Sequence, residues 1–413
     1  MKTVPPVWAI AVAQEACLAA LALAASRKAI PLTIGLVIAT SLVYLVFVTS
    51  AWGHTANKSP RSNHLMLVCA LGFRATLLPV APVLSDDLNR YRWEGMVQAQ
   101  GSNPYLLRPD DPAIPGRGFR SGYGPLTTAL EWVNFEFAAR LTSDPARQAL
   151  WMKLPSVAFE LATLLLLWRS DPARYAVYAW CPLPVVEFWW SGHNDAIAVF
   201  FVVAAVVAFR SQRWPWAFAT LGCGVAAKWW PAVVWPLLAR RRPAWSWIAA
   251  LPVVLGAAWY VPTDWRQLIE NARFMSGFVG GWRNNDSLFG LLLWLTGDQY
   301  LAKYAAFAIL SAVVAWATRL RVEQGTLVVI VAMLLVSANC HPWYLTWIVP
   351  LLVWTEWWPA YVWMTLMPLT YTVLIDWYGA GVWNGVTASR WLVWIPFYAS
   401  IAVWAVKERK RAD

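Results

Sequence analysis

Apolar runs dominate the chain. Runs of roughly 20 residues, the length that crosses a hydrocarbon core as a helix, fall at 7–26, 29–50, 65–84, 150–168, 174–190, 194–210, 244–261, 300–318, 324–340, 358–376 and 388–406. Two shorter units complete the series. Residues 214–239 read as a tight helical hairpin with Lys228 near its apex, and 343–355 follow His341-Pro342. The first run has Glu15 in its middle and only Lys2 ahead of it, which fits a membrane helix better than a cleaved leader. The pattern predicts an all-α, polytopic transmembrane helical protein of roughly 11–14 membrane segments. Residues 1–413 then form a single integral-membrane domain. Two stretches interrupt the pattern, 85–149 and 262–299, where Trp, Phe and Tyr mix with charges. That mixture suits helices lying on a membrane surface.

Composition sharpens this picture. Charged residues are 13% of the chain and hydrophobic ones 59%, against about 25% charged in soluble domains. These values exclude a water-soluble enzyme, a disordered chain and a disulfide scaffold. The net charge of +11 does not mark nucleic-acid binding, because Lys and Arg sit at the ends of apolar runs. With the N-terminus inside, the inner loops hold Lys58, Arg61, Arg169, Arg174, Arg210, Arg213, Arg240, Arg241, Arg242, Arg319 and Arg321. The tail adds Lys407, Arg409, Lys410 and Arg411, while Arg27 and Lys28 are the exception. The positive-inside rule thus predicts cytoplasmic N- and C-termini in a plasma membrane. The loops 85–149 and 262–299 then lie outside, and the first carries seven Arg and eight acids. Polar chemistry is expected on the extracytoplasmic face.

The 32 tryptophans, including the pairs 189–190, 229–230 and 357–358, read mainly as interfacial anchors. Cys17, Cys69, Cys181, Cys223 and Cys340 lie in apolar segments without CxxC spacing and read as packing residues. The four histidines are dispersed and no Gly-rich phosphate loop appears. No metal, cofactor or soluble nucleotide donor is therefore expected.

The most informative stretch is SDDLNRYRWEGMVQAQGSNPY, residues 85–105. Ser85 or Asp86 can start a helix, and Gly101 with Pro104 ends it. Asp87, Arg90, Tyr91, Glu94 and Gln98 then share one face at i, i+3, i+4, i+7 and i+11. A carboxylate on that face can remove a proton from a substrate hydroxyl. The same residues also fit a plainer role, a helix cap followed by an Arg90–Glu94 surface pair. Two adjacent acids exceed what a cap needs, and like charges this close raise the pKa of one of them, which suits a base.

This stretch resembles the C-type glycosyltransferases, multi-pass enzymes that take a sugar from a polyprenyl-phosphate donor. The resemblance is closest to bacterial mannosyltransferases that use polyprenyl-phosphate mannose. In that superfamily the first large outer loop opens with an Asp base, followed by Arg or a similar residue and then Tyr four positions on. Asp87, Arg90 and Tyr91 match that spacing, so the resemblance makes Asp87 the base and Asp86 a neighbour that positions it. Further matches follow in order. Tyr123-Gly124-Pro125-Leu126 resembles a Tyr-Pro-Pro-Leu turn, with Gly124 a departure. His193-Asn194-Asp195, after Ser191-Gly192, resembles a Gly-His-Asn-Asp element. Lys228 with Pro231 resembles a Lys-x-x-Pro hairpin, and Trp282 to Leu288 an aromatic-Asn-Ser-Leu element with Asp286 as a departure. His341-Pro342-Trp343-Tyr344 resembles a Pro-Trp-Tyr turn. These matches span about residues 65–355.

Each element also has a structural reading. Asn194 or Asp195 can cap a helix, and His341 can precede an N1 proline. Lys228 can snorkel, although an ammonium costs about 2.5–3.5 kcal/mol at a helix centre; a lipid phosphate is its functional counter-ion. Arg74 raises the same question. Arg266, Arg273 and Arg283 fit either phosphate or lipid headgroups. His341 can carry a proton to the leaving phosphate or acceptor. The resemblance implies an inverting transfer of a sugar, most simply mannose, at the outer face. Asp87 takes the acceptor proton, and Arg90, Lys228, His341 or an outer-loop Arg such as Arg283 stabilises the departing lipid phosphate. Substrate contacts are expected from Arg90, Tyr91, Glu94, Tyr123, His193, Asn194, Asp195, Lys228, Arg283, His341, Trp343 and Tyr344. The partners are a polyprenyl-phosphate sugar donor, a lipid or glycan acceptor and the bilayer. A secondary transporter is the rival class, since intramembrane Lys and Arg with helix-breaking prolines also fit one.

Overall fold

The structure is a computed structural model that describes residues 5–50, 60–110, 119–260, 266 and 282–412. It is all-α and polytopic, and the described residues contain no strand. An isolated bridge joins Asn284 to Asn339.

The first two helices, α1 (Val7–Ser26) and α2 (Ile30–Thr49), match the first two apolar runs closely. The third, α3 (Pro60–Leu77), ends well before residue 84. Pro79 and Pro82 lie in the remainder, where each lacks the N–H a helix needs. Carbonyls left open there find a partner, because Lys153 Nζ donates to Leu78 O and Val80 O at 3.0 and 2.6 Å. The chain then enters α4 (Asp87–Ala99), α5 (Pro125–Leu141), α6 (Pro145–Trp151) and α7 (Leu154–Ser170). Asp144 caps α6 by accepting from Ala146 N, and proline occupies its first turn.

The apolar run 174–190 is not one helix. Pro182 and Pro184 divide it into single turns, Ala176–Ala179 and Pro182–Pro184, and a π-helical turn, Val185–Trp190. The next run is continuous as α8 (Asp195–Arg210), which packs against α7 and α9 (Trp214–Ala227). The hairpin expected over 214–239 is present. Lys228 sits at the C-cap of α9, followed by a 3-10 segment Trp230–Val234 and a short return helix Trp235–Ala239.

Later runs are interrupted in the same way, since proline removes a backbone donor wherever it enters a helix interior. Residues 342–353 form two 3-10 segments, Pro342–Trp347 and Val349–Val353. Residues 359–380 alternate between Pro359–Leu366, a 3-10 stretch Met367–Thr372, and Val373–Ala380. Helical stretches long and apolar enough to cross a membrane number four among the described residues: Val7–Ser26, Ile30–Thr49, Pro145–Ser170, where α6 runs into α7 across residues 152–153, and Gln299–Ala317. The apolar runs were thus located correctly, but the expectation of an unbroken helix in each was not met.

Tryptophan follows two rules here. Trp8, Trp216, Trp259 and Trp294 are exposed on the bundle's outside. Trp189 and Trp190, expected as anchors, are interior instead, because their N–H groups reach Glu160 Oε2 at 2.8 Å and Ala81 O at 3.1 Å. Arg74 is also interior. Its guanidinium donates to both oxygens of Glu160, at 2.6 to 3.1 Å, and to Ala70 O and Ala179 O. Its counter-ion is therefore a buried carboxylate of α7, not a phosphate.

Candidate active site

Four pieces of chain meet around Asp87: the start of α4, the turn 191–195, the hairpin apex at Lys228 and the turn after His341. Ser85 Oγ accepts from Asp87 N at 3.3 Å, so Ser85 starts α4; the side chain of Asp86 makes no cap bond. Gly101, at φ 77, ends the helix in the left-handed region that glycine tolerates. The face drawn from the sequence is buried. Arg90 Nε donates to Glu94 Oε1 at 2.7 Å and Arg90 Nη1 to Phe119 O at 3.0 Å. Ser121 Oγ donates to the other Glu94 oxygen at 2.6 Å. Arg90 and Glu94 thus brace the 119–121 segment directly behind Asp87.

Asp87 retains partial access, with 27% of its side chain exposed. Its Oδ2 lies 3.2 Å from His193 Nδ1 and 3.3 Å from the Tyr91 hydroxyl. His193 is fully buried, and its Nε2 lies 3.3 Å from Glu187 Oε2. Both histidine contacts are close, but their angles depart from those of hydrogen bonds. Tyr371 OH donates to both Glu187 oxygens at 2.9 and 3.0 Å.

The two acids differ in the direction opposite to a raised base. Burial pushes the Asp87 carboxyl up, but the close contact and charge of His193, then the charge of Lys228, outweigh it and hold the group below the ordinary carboxylate range. Asp86 takes the upward shift. Partial loss of hydration, then the charge of Asp87, raises it to about 6. His193 is displaced to about 9, because the contacts to Asp87 and Glu187 overcome the lowering by burial. The centre therefore sets the His193 ring between two carboxyl groups, Asp87 and Glu187.

Asn194 and Asp195 tie this array to the hairpin. Asn194 Nδ2 donates to Glu131 Oε1 at 3.2 Å, and its Oδ1 accepts from Lys228 Nζ at 3.2 Å. Lys228 Nζ also contacts Asp195 Oδ2 at 2.5 Å, while Trp347 Nε1 donates to Asp195 Oδ1 at 2.7 Å. Lys228 lies 5.7 Å from the Tyr123 ring centroid, and Tyr123 packs edge-on against Tyr91.

The His341 turn supplies an aromatic wall. Trp343 is stacked between His193 and His341, each at 4.3 Å between centroids. Tyr344 stacks on Trp347, which stacks on Trp230. His341 differs from the proton carrier expected from the sequence. Burial, reinforced by the positive charges of His193 and Lys228, lowers it to about 3, so it is a neutral imidazole. Asn284 lies 3.1 Å from its Nδ1.

Arg283 stands apart from Asp87 on the sequence map and is paired locally. It contacts Asp286 at 2.5 Å, and Arg390 reaches the other Asp286 oxygen at 2.8 Å. Arg266 belongs to a described residue with an exposed side chain, and Arg273 lies outside the described residues. Sequence reading missed Glu187, Glu131, Trp347 and Tyr371. The one available sign was Glu187 itself, an acid inside the apolar run VVEFWW that requires a partner.

An all-α membrane bundle that gathers an ionised carboxylate, a lysine and aromatic rings at the ends of its segments has the make-up of a polytopic membrane enzyme. The profile of the alpha-(1->6)-mannopyranosyltransferase N-terminal domain matches residues 7–242, more than half of the chain, and the chain belongs to that family. It is a membrane mannosyltransferase of the C-type glycosyltransferase group, acting between a sugar donor and an acceptor. No curated protein and no solved structure matches it significantly. The matched segment contains Asp87, Glu187, His193 and Lys228.

Proposed function

We propose that the chain is an inverting mannosyltransferase that uses a polyprenyl-phosphate mannose donor, with Asp87 as base. The observation that carries this reading is the partly exposed, ionised Asp87 carboxylate, held through Oδ2 by His193 and Tyr91. Holding one oxygen leaves the other to face an acceptor hydroxyl. As that hydroxyl oxygen bonds to the anomeric carbon, its proton passes to Asp87 and the bond from that carbon to the phosphate oxygen breaks. The electron pair leaves with the lipid phosphate. One displacement converts a β-linked donor into an α-linked product, and the family's linkage points to an α-(1→6)-mannoside on a lipid or glycan acceptor.

Lys228 supplies charge for the departing phosphate. Its ammonium has three donors, of which Asp195 and Asn194 engage two. Arg90 and Glu94 support the loop, and Tyr123, Trp343 and Tyr344 offer ring faces to a sugar. A donor that diffuses in the bilayer needs no nucleotide cradle, in keeping with a site assembled at segment ends. The basic inner loops and tail favour cytoplasmic termini in the plasma membrane and an extracytoplasmic site.

The test is transfer by purified protein from radiolabelled polyprenyl-phosphate mannose, with GDP-mannose in parallel, to a panel of mannosyl lipids and glycans. Product anomeric configuration is read by linkage-specific mannosidases. Transfer from the lipid donor and its loss in Asp87→Asn are expected. Transfer from GDP-mannose alone, or full activity of Asp87→Asn, would overturn the reading.

A further inference from the structure

We propose that Glu187 is a positioning residue for the transfer, holding His193 as the imidazolium that fixes Asp87. The inference rests on Asp87 being the base, and it extends the site inward to a residue that no motif marks.

The local chain is built to bring residues 187 and 193 together. The π-helical turn Val185–Trp190 widens the backbone, a feature that often accompanies function. Gly192, at φ 75, then reverses it, so that His193 N donates to Glu187 O at 2.9 Å. A Cβ at Gly192 would come within 2.6 Å of Leu88 Cδ2, on the helix that carries Asp87. Glycine thus lets the turn lie directly against α4.

The acids on either side of the ring favour its charged form. His193 presents one nitrogen to Asp87 and the other to Glu187, at 3.2 and 3.3 Å. A neutral imidazole has one N–H and would turn a lone pair toward one of these carboxylates. Only the imidazolium serves both. It stacks on Trp343, which keeps the ring plane fixed, and Tyr371 OH anchors Glu187 from Met367–Thr372. The ionisable groups around the ring are Asp87 and Asp86 on α4, Glu187 on the π-turn and neutral His341 beyond Trp343. Lys228 faces Asp87 from the hairpin. An imidazolium has no lone pair left, so it does not receive the acceptor's proton. That proton passes from Asp87, which is acidic and partly exposed, to water.

Removing the charge of Glu187 but keeping its shape is the discriminating change. In the wild-type enzyme kcat/KM is expected to fall as pH rises through about 9, where His193 loses its proton. In Glu187→Gln that alkaline limb is expected to move down by about 1–3 pH units, the effect of one neighbouring charge. A general packing defect lowers the whole profile without moving the limb. An unmoved limb in a folded Glu187→Gln protein overturns the proposal, and so does a wild-type His193 that is neutral at pH 7. The second measurement is 15N-histidine NMR of the wild-type protein in detergent, with His193→Gln to assign the signal, and it needs no folded Glu187 variant. If instead Asp87→Asn keeps full transfer, the base assignment itself fails, whatever the limb does.

Discussion

Lys228 Nζ lies 2.5 Å from Asp195 Oδ2, joining the apex of the 214–239 hairpin to the first residue of α8. Trp347 satisfies the other oxygen of Asp195, so the carboxylate is fully engaged and Lys228 is fixed in direction. The ammonium is thereby placed at the edge of the site. Lys228→Met is expected to raise KM for the lipid donor about 10- to 100-fold, the loss of one charge-assisted contact of about 1.5–3 kcal/mol. Lys228→Arg should fall between, since a planar guanidinium cannot reproduce the ammonium's contacts with both Asn194 and Asp195. Steady-state kinetics with varied donor checks this. An unchanged KM in Lys228→Met would remove Lys228 from donor binding.

The adjacent acids separate by pH. Asp87 is held below the ordinary carboxylate range and so stays ionised in weak acid, whereas Asp86 is raised to about 6. If Asp87 is the base, kcat/KM stays level as pH falls through 6; a base at Asp86 would lose activity there. The matching substitutions are unequal. Asp87→Asn is expected to lower kcat by about 10²- to 10⁴-fold, the usual worth of a general base, and Asp86→Asn by less than about tenfold. An acid limb near 6, abolished by Asp86→Asn, would transfer the role to Asp86.

What the sequence made legible follows from the range of the interactions. The face carrying Asp87, Arg90, Tyr91 and Glu94 is set by helical spacing, and Lys228 is conspicuous because an ammonium is costly among apolar residues. Both could be read from neighbours along the chain. Glu187, Glu131 and Glu160 could not be assigned partners, because Tyr371, Asn194 and Arg74 lie 184, 63 and 86 positions away. The breaks in the apolar runs were only half legible. Pro182, Pro184, Pro342 and Pro350 are visible, but counting apolar residues ignores them, and the π-turn depends on packing. The two carboxylate shifts depend on where His193 lands, which no local pattern fixes.

Arg74 and Glu160 carry a prediction about stability alone. Both side chains are fully buried, and their contact is bidentate, with Trp189 completing Glu160 and two backbone carbonyls completing Arg74. Glu160→Ala leaves a buried guanidinium without its counter-charge and is expected to cost about 3–5 kcal/mol. The paired change Arg74→Met with Glu160→Leu should cost less than either single one, since no charge is then stranded. Thermal unfolding in detergent, followed by tryptophan fluorescence, checks both. If Glu160→Ala unfolds at the wild-type temperature, the pair contributes nothing to the fold.

Gly124 departs from the proline of the related turn, and its surroundings supply the reason. Its backbone is extended, with φ −76 and ψ 159, so no conformational strain demands glycine. Space does, because a Cβ there would overlap the carbonyl of Ala226. Gly124 N donates to Ala227 O at 3.0 Å, and Thr127 Oγ1 donates to the same oxygen at 2.9 Å. These bonds hold the residue immediately before Lys228. Proline at 124 would lose the first bond as well as collide. Gly124→Ala is therefore expected to displace the hairpin apex and lower kcat/KM by about 10²-fold, the cost of misplacing a group by about 1 Å. Gly35→Ala is the control, since a Cβ there meets no atom within 4 Å and the residue lies in α2. The two variants are compared by transfer assay and by thermal unfolding. Wild-type transfer in Gly124→Ala, or an equal loss in Gly35→Ala, would show that the hairpin apex does not depend on this contact.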